Sequence, residues 1–251
     1  MRRHEARRLN YNLWVRISFV TLFPDHVLAA MRYSILERAE QSGRVQFDAV
    51  NPRDFADDPH RTVDDSPFGG GPGMVLKPDR VAEAVDSVLT ETAKVITFEP
   101  WGKLVTDTEV RRLAKIPHLV LVSGHYEGLD GRIAQYYDAE TYCIGDFVVS
   151  GGEFPALLLA DAVVRQVSGT LGNAESLDID SFGDGLLTGP QFTRPWDFRG
   201  LTPPEILRSG DHAKIERFKR QQALKLTRDH RPDLFAKANL TDTDVKLILE
   251  D

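Results

Sequence analysis

The first 170 residues alternate between short apolar runs and longer stretches in which apolar residues recur every three or four positions. The short runs are rich in β-branched and aromatic residues, which is typical of buried strands, and they cover residues 17–23, 45–50, 94–98 and 118–122. The helical spacings cover residues 25–39, 79–89, 106–115 and 154–167. Strands that alternate with helices predict a parallel α/β sheet.

The chain changes character after residue 167. Residues 168–204 are rich in Gly, Ser, Asp, Thr and Pro, which predicts a linker or an ordering loop. Helical spacing returns at residues 211–229, where Asp211 is the predicted cap, and a final short helix is predicted at residues 241–249. We therefore predict a second, helical domain that begins at about residue 184.

Three predicted strand ends are followed by loops suited to a ligand. They cover residues 99–102, 123–128 and 147–152. Because ligands of open parallel sheets lie beyond the carboxyl ends of the strands, these loops are expected to share one pocket. Residues 143–153 are a short apolar segment with a glycine near each end, and glycine allows close backbone approach. This segment is either a ligand cradle or a tight turn that needs glycine only for its geometry.

A long irregular loop is predicted for residues 51–77. It contains three successive glycines followed by Pro-Gly, which regular structure does not accommodate. Such a loop in a compact domain is usually functional or disordered. No Gly-Lys-Ser/Thr follows it, and no Gly-x-Gly-x-x-Gly occurs in the chain. These absences argue against a Walker A nucleotide site and a Rossmann-type NAD enzyme.

Length and composition limit the class of protein. The 251 residues, 41% of them hydrophobic, are enough for one large or two modest domains. No apolar run reaches the roughly 18 to 20 residues of a membrane span, and the N-terminus has no apolar signal region. Cys143 is the one cysteine, which excludes an internal disulfide and a multi-cysteine zinc site. We expect a cytoplasmic protein with no membrane partner.

Charge is unevenly distributed. The net charge is −7, yet residues 194–231 carry ten Lys or Arg against five acids, a local charge of +5. An acidic protein with one basic region suits a polyanion bound on a limited face. The alternative is a solvated helix face without a partner.

Several motifs occur together and in order. They are Gly-Gly-Gly-Pro-Gly-Met at 69–74, Gly-His-Tyr-Glu-Gly at 124–128, Ile-Gly-Asp-Phe-Val-Val-Ser-Gly-Gly-Glu at 144–153, Pro-Gln-Phe-Thr-Arg-Pro at 190–195, Ser-Gly-Asp-His-Ala at 209–213 and Arg-Pro-Asp-Leu at 231–234. From about residue 16 to 235, this set resembles the bacterial tRNA (guanine-N1)-methyltransferases. Members of that family methylate N1 of the guanine immediately 3′ of the anticodon, position 37. The resemblance implies a SPOUT-type α/β domain with a deep C-terminal trefoil knot, and a small helical C-terminal domain.

The resemblance also implies a cofactor and a partner subunit. S-adenosylmethionine is expected in the knot, between two subunits of a homodimer. The residues that match the family's cofactor contacts are Pro100, Gly124, Ile144, Gly145, Asp146, Phe147, Val148, Val149, Gly151 and Gly152. The family's dependence on magnesium is implied too, although no spacing in this sequence shows a metal site.

Arg165 and Asp180 match the family's catalytic pair, and Glu127 matches an acidic residue at the methionine end. A carboxylate is a suitable general base for the guanine N1 proton, so Asp180 is the expected base. Removal of that proton places negative charge on O6, which Arg165 would stabilise as an oxyanion donor does. Taken alone, Asp180 could be a loop aspartate that caps residues 181–182, and Arg165 a helix-surface arginine.

The resemblance assigns roles to the segments of the chain. Residues 1–15 are expected to be a disordered or non-native tail, because Val15 stands where the family's chain usually begins with Met. Residues 16–170 are expected to form the knotted cofactor domain, residues 171–183 a linker and residues 184–251 a tRNA-binding domain. The basic segment, with His212, is expected to contact the tRNA anticodon stem-loop.

Two positions depart from the family pattern, and three alternatives remain. His125 stands where arginine is common and Phe147 where tyrosine is common. The alternatives are a knotted methyltransferase acting on a ribose 2′-OH or another base, an RNA-binding module without catalysis, and the disfavoured NAD enzyme.

Overall fold

The computed structural model describes residues 14–170 and 180–250. These residues form two compact units, one up to residue 170 and one from residue 180. Nearly all of the predicted N-terminal tail, and residues 171–179 of the predicted linker, lie outside the described residues. The assignment of segments to a tail, two domains and a linker stays a prediction.

The first unit contains the predicted parallel sheet. Its strands are β1 (Val15–Val20), β2 (Val45–Val50), β5 (Ala93–Leu104), β6 (His118–Val122) and β7 (Glu140–Cys143), in the order β2-β1-β6-β5-β7, and all the pairs are parallel. A separate antiparallel pair joins β3 (Asp64–Asp65) to β4 (Val75–Leu76). The prediction of a parallel α/β sheet is therefore confirmed.

Strand β6 lies in the centre of the sheet, and this position explains why its sequence is a continuous apolar run. It pairs with β1 on one side and β5 on the other, and every one of its residues is buried. A strand covered on both faces needs apolar side chains on both, so it lacks the alternation of a half-exposed strand. The one polar member, His118, lies 2.9 Å from the Ser18 hydroxyl through Nε2 and 2.9 Å from the Thr90 hydroxyl through Nδ1.

The helix predicted at residues 25–39 is wrong as a single helix. Two helices occupy this stretch, α1 (Pro24–Met31) and α2 (Ser34–Gln41), with extended Tyr33 and a left-handed φ of 50° at Ser34 between them. Apolar residues of both helices are buried in one core, so the spacing is preserved across the break. Apolar spacing reports which side faces the core, and it does not report whether the helix axis is continuous.

The ends of the remaining helices of the first unit lie within two residues of the predicted ends, except for one helix that the sequence did not predict. They are α3 (Pro78–Val88), α4 (Asp107–Leu113), α5 (Arg132–Tyr136) and α6 (Glu153–Gln166). Helix α5 has five residues and buries only Ile133, so it has no apolar periodicity for sequence analysis to detect. Helices α1 and α3 begin with proline at the first helical position, so Asp25 and Asp79 lie in the first turn of these helices.

Strand β5 differs most from its prediction. It continues to Leu104, and Phe98 and Lys103 both pair with Tyr142 of β7, so residues 99–102 form a bulge inside the strand and not a loop after it. A bulge disrupts the ladder locally and re-aims side chains, which is why such features often border functional sites. Its partner β7 was missed because Glu-Thr-Tyr-Cys is short and largely polar.

The second unit contains α7 (His212–His230), α8 (Pro232–Phe235) and α9 (Asp242–Leu249). The Asp211 side chain accepts a hydrogen bond from Lys214 N at 3.1 Å, which confirms the predicted cap. Thr241 and Asp244 form a capping box at the start of α9. The core of this unit consists of Leu186, Leu224 and Leu247.

Candidate functional site

A cavity of about 240 Å³ lies beside the β5 bulge and the ends of β6 and β7 in the first unit. Each of the three predicted loops contributes to its wall, through residues 99–100, 124, 126–128 and 147–152, whereas Trp101, Gly102, Ser123 and His125 do not line it. Nine of the ten predicted cofactor residues line it: Pro100, Gly124, Ile144, Gly145, Phe147, Val148, Val149, Gly151 and Gly152. The tenth, Asp146, is exposed and is not part of the lining.

Two backbone segments meet tightly at Gly124 and Gly152. Gly152 N donates a 2.7 Å hydrogen bond to Gly124 O. A Cβ added at Gly152 would lie 2.7 Å from Gly124 N and 2.8 Å from Ser123 Cα, and real Cβ atoms do not approach backbone so closely. Glycine is therefore required at position 152 by geometry, and the same segment also lines the cavity. That residues 143–153 cradle a ligand stays a prediction.

The segment between β7 and α6 presents backbone and apolar groups. Phe147 N donates to Gly145 O at 2.9 Å, which closes a tight turn, and the Cys143 thiol lies 3.2 Å from the same oxygen. Phe147 and Val148 are 60% and 89% exposed, although both line the cavity. Large apolar side chains left this open are suited to a ligand or to another chain.

Two carboxylates face the cavity, from Glu99 and Glu127, and its lining includes no Lys, Arg or His. Burial raises the pKa of the Glu99 carboxyl above its ordinary value. Glu127 is exposed, and its N–H donates to Met74 O at 2.9 Å. A negative cavity with some apolar wall favours a ligand that carries positive charge.

The glycine-rich loop is ordered and holds Glu127. A Cβ added at Gly73 would lie 2.3 Å from Glu127 Oε1, and Gly73 has a left-handed φ of 86°. Leu76 N donates to Gly128 O at 3.0 Å, and Leu76 forms a bridge with Leu129. The loop predicted to be functional or disordered therefore packs against the 124–128 segment of the site.

His125 faces away from the cavity lining, toward a buried acid. Its Nδ1 lies 3.8 Å from Oε2 of Glu153, and its ring makes edge contacts with Phe23 and Tyr126. Glu153 is buried and accepts a 2.8 Å hydrogen bond from the Thr21 hydroxyl. The departure at His125 thus changes the surroundings of Glu153 rather than the cavity wall.

Tyr142 forms part of the cavity wall and is held by a polar network. Its hydroxyl lies 2.8 Å from Glu109 Oε2 and 2.7 Å from Glu140 Oε2, and it accepts a 2.8 Å hydrogen bond from Arg112. The Lys103 ammonium, 2.6 Å from Oε1, together with Tyr142 and Arg112, lowers the pKa of Glu109 to about 2. Burial raises the pKa of the Tyr142 hydroxyl.

Arg165 and Asp180 belong to different units. Arg165 is partly buried in the last turn of α6, in the first unit. Asp180 is exposed at the start of the described part of the second unit, where its backbone oxygen accepts from Gly183 N at 3.2 Å. Neither lines the cavity, whereas Glu127, the third predicted catalytic residue, does.

The basic segment divides into two parts. Five of the six Lys and Arg of helix α7 are paired with acids within the second unit: Lys214 with Asp211, Arg217 with Glu250, Lys219 with Glu216, Arg220 with Asp244, and Arg228 with Asp229. The sixth, Lys225, donates to the backbone oxygen of Glu250 at 2.6 Å. In the described part of the chain, no acid pairs with Arg194, Arg199 or Arg208. Arg208 instead lies over the Trp196 ring at 4.4 Å, and Arg199 over the Phe198 ring at 5.4 Å.

Neither a metal cluster nor a spanning helix was found in the ranges 14–170 and 180–250. No group of three or more His, Cys, Asp or Glu side chains there could hold a metal ion. No helix there is long and apolar enough to cross a membrane. The magnesium dependence implied by resemblance stays an untested expectation.

Sequence analysis assigned no individual role to several lining residues: Phe98, Glu99, Tyr126, Gly128, Tyr142, Cys143, Ser150 and Pro155. Glu99, Tyr126, Gly128 and Ser150 nevertheless lie in the loops that were predicted to share one pocket. Glu99 carried a usable signal, since it is an acidic residue directly after a buried strand segment. Tyr142 carried none, because the strand that positions it was not predicted.

Comparison with known proteins agrees with this geometry. A family described as "tRNA (Guanine-1)-methyltransferase TrmD" matches residues 15–237. A tRNA (guanine-N(1)-)-methyltransferase of Staphylococcus aureus (strain MRSA252) is 44% identical over 237 residues, which is 94% of this chain and 96% of the relative. One of the same name from Dictyoglomus turgidum is 45% identical over 236 residues, again 94% and 96% of the two chains. The chain therefore belongs to the tRNA (guanine-1)-methyltransferase family.

Proposed function

We propose that this methyltransferase transfers the methyl group of S-adenosylmethionine to N1 of the guanine immediately 3′ of the anticodon, position 37 of tRNA. The observation that carries the proposal is the cavity at the strand ends, in which nine residues matching the family's cofactor contacts lie together. Family membership supports tRNA guanine as the methyl acceptor.

The cavity fits this donor better than a phosphate-bearing cofactor. Its lining has two carboxylates and no basic side chain, so a phosphate would meet only repulsion from charged groups. S-adenosylmethionine carries a sulfonium and an ammonium, both positive. The apolar side chains of Ile144, Phe147 and Val149 and the backbone around Gly145 suit an adenine, while Glu127 would orient the ammonium.

The protein's part in the reaction is to remove a proton from the guanine and to stabilise the negative charge that results. The bound donor supplies an electrophilic methyl group. Asp180 would accept the N1 proton, because N1 is a poor nucleophile until that proton leaves. Arg165 would stabilise the negative charge that then develops on O6. The guanine must leave the anticodon-loop stack to reach both groups.

Contact with the tRNA is proposed for the second unit, residues 184–251. The exposed Arg194, Arg199 and Arg208 have no acidic partner among the described residues, and two of them lie over exposed or half-buried aromatic rings. Cations contact phosphates, and aromatic rings and arginine planes stack with unpaired bases of RNA loops. Five of the six Lys and Arg of α7 are less suited to this role, because each of them already has an acidic partner.

A homodimer and a trefoil knot complete the proposal. Phe154 and Leu158 lie one turn apart on α6 and are 49% and 58% exposed, and half-exposed Phe23 precedes α1. Such an apolar group is suited to burial by a second copy of the chain. The close passage of Gly152 against Gly124 supports the expected knot at this point of the chain.

The proposal is tested by incubating the protein with methyl-labelled S-adenosylmethionine and an unmodified tRNA, then digesting the tRNA to nucleosides. We expect label in N1-methylguanosine at position 37, and none in a matched tRNA with adenine there. Label on a ribose or another base would favour a different RNA methyltransferase. Donor binding with no transfer to any tRNA would favour a binding module. Repeating the reaction with EDTA tests the implied magnesium dependence.

A further inference from the structure

Glu99 is a charged side chain that the structure leaves uncompensated. It lies in the bulge of β5 and is half-buried in the cavity wall. Across residues 14–170 and 180–250 its carboxylate has no hydrogen bond and no ion pair. A carboxylate removed from water without a partner is costly, and burial accordingly raises its pKa.

The described surroundings of Glu99 offer no cation of the protein. Among residues 14–170 and 180–250, the cavity lining contains a second carboxylate, that of Glu127, and no Lys, Arg or His. A neighbouring cavity also has Glu99 in its wall, together with Asp130. Arg132, the basic residue beside that wall, is already paired with Asp130 at 2.7 Å. A positively charged ligand in the cavity would supply the charge that the described residues do not.

The Glu99 carboxylate lies beside the cavity, and both Glu99 and Gly128 line it. A Cβ added at Gly128 would lie 3.8 Å from Glu99 Oε1, an ordinary van der Waals distance. Pro100 and Gly124, two of the residues predicted to bind the cofactor, share the same wall. Glu99 thus faces the volume that the proposed function assigns to the methyl donor.

We propose that Glu99 is a binding residue whose carboxylate pairs with a positive charge of the methyl donor, so that the cavity selects cationic donors over uncharged nucleosides. The inference rests on the proposed function, and it adds a residue for which the sequence comparison gave no role. It predicts that donor affinity depends on the negative charge of the Glu99 side chain and not on its volume.

The test compares Glu99→Gln with the wild-type protein by isothermal titration of two ligands. S-adenosylmethionine carries positive charges, and 5′-methylthioadenosine presents a similar nucleoside without them. Glutamine keeps the shape of the side chain and removes its charge. We expect the affinity for S-adenosylmethionine to fall roughly tenfold, and that for methylthioadenosine to change less than about twofold. Glu91→Gln, at an exposed turn outside the cavity, is the matched control and should change neither.

Lowering the pH provides a second readout. Protonation of Glu99 removes its charge, so wild-type affinity for S-adenosylmethionine should fall as the pH drops through the pKa of Glu99, which burial raises. The other acid of the lining, Glu127, and the Asp130–Arg132 pair are present in both proteins. The Glu99→Gln variant should therefore show a weaker pH dependence, which a purely structural role would not produce.

Three outcomes overturn the inference. Unchanged S-adenosylmethionine affinity in Glu99→Gln would show that the charge is not used. An equal loss for both ligands would show that Glu99 acts through packing. A wild-type protein that does not bind S-adenosylmethionine at all would overturn the donor assignment as well, which separates failure of the proposed function from failure of Glu99 alone.

Discussion

The two units carry candidate binding surfaces of opposite charge and opposite construction. The first unit's cavity is enclosed by backbone and apolar groups, and its charged lining residues are both acidic. The second unit's segment 194–208 is mostly exposed, and two of its three arginines, Arg199 and Arg208, lie over aromatic rings. In a chain with a net charge of −7, acids line the cavity where we propose that a cationic donor binds, and arginines without an acidic partner in the described part of the chain lie where we propose that RNA binds.

The difference in construction also determines how each surface responds to substitution. The cavity depends on close backbone approaches such as that of Gly152 to Gly124, where one added carbon collides. The arginine surface of the second unit depends on separate exposed side chains, so their contributions to the free energy of RNA binding should add. We expect single substitutions to have large effects in the cavity and graded ones on the surface.

Asp180→Asn should have the largest effect on methyl transfer. Asparagine cannot take the N1 proton, so the single-turnover rate should fall by roughly 10²- to 10⁴-fold, the usual contribution of a general base. Affinity for S-adenosylmethionine should stay within about twofold, since the donor cavity belongs to the first unit. Asp229→Asn, at an exposed acid paired with Arg228, is the control. Near-normal turnover of the Asp180 variant would exclude it as the base.

Gly152→Ala should damage the cavity itself. The added methyl would lie 2.7 Å from Gly124 N, and since backbone must move to accept it, we expect about 3 kcal/mol of lost stability and donor binding at least tenfold weaker. Thermal unfolding and donor titration measure both. Gly131→Ala is the matched control, because a Cβ there meets nothing within 4 Å and its φ is −59°. Equal stability and donor affinity of the two variants would contradict the close approach of Gly152 to Gly124.

Leu158→Asp tests whether the cavity needs a second chain. Leu158 is 58% exposed on α6, so the substitution should not unfold the first unit, but it would place a charge in the proposed dimer contact. We expect a monomer by analytical ultracentrifugation, with donor affinity reduced roughly tenfold or more. Leu249→Asp, which is 79% exposed in the second unit, is the control. A Leu158→Asp monomer that binds the donor normally would show that one chain suffices.

Replacing Arg194, Arg199 and Arg208 by Gln should weaken tRNA binding and leave the affinity for S-adenosylmethionine unchanged. Three lost phosphate contacts on a single-stranded loop would reduce the salt slope of tRNA affinity by about 2. The control is Lys214, Lys219 and Arg228 changed to Gln, an equal charge loss at cations that already have acidic neighbours. Arg220 is unsuited to such tests, because it pairs with Asp244, which caps α9. If the control variant lost more tRNA affinity than the arginine variant, the RNA-binding surface would lie on α7 instead.

The fold was predictable where burial leaves a periodic signal. Fully buried β6 and strand β2 occur at the predicted residues, as does the Asp211 cap of α7. Strand β7 was not predictable, because its four residues are mostly polar and their stability depends on pairing with β5. The break between α1 and α2 was invisible because both helices face the same core.

The candidate site was partly predictable for a similar reason. Strand ends locate a pocket in a parallel sheet, and the 99–102, 123–128 and 147–152 segments do meet. Glu99 lies in a predicted pocket loop but received no role, because the absence of a partner for its carboxylate among the described residues is visible only in the three-dimensional surroundings. The pairing of the α7 cations was likewise invisible, since Arg217 and Arg220 meet acids more than twenty residues away along the chain.

The contrast between the two surfaces is tested most directly by hydrogen–deuterium exchange of the whole protein with S-adenosylmethionine, and separately with a tRNA anticodon stem-loop. We predict that S-adenosylmethionine slows exchange in residues 98–102, 124–128 and 143–152 and leaves residues 190–208 unchanged, while the stem-loop slows exchange in residues 190–208. Protection by S-adenosylmethionine in the second unit, without protection at residues 143–152, would contradict the assignment of the cavity as the donor site.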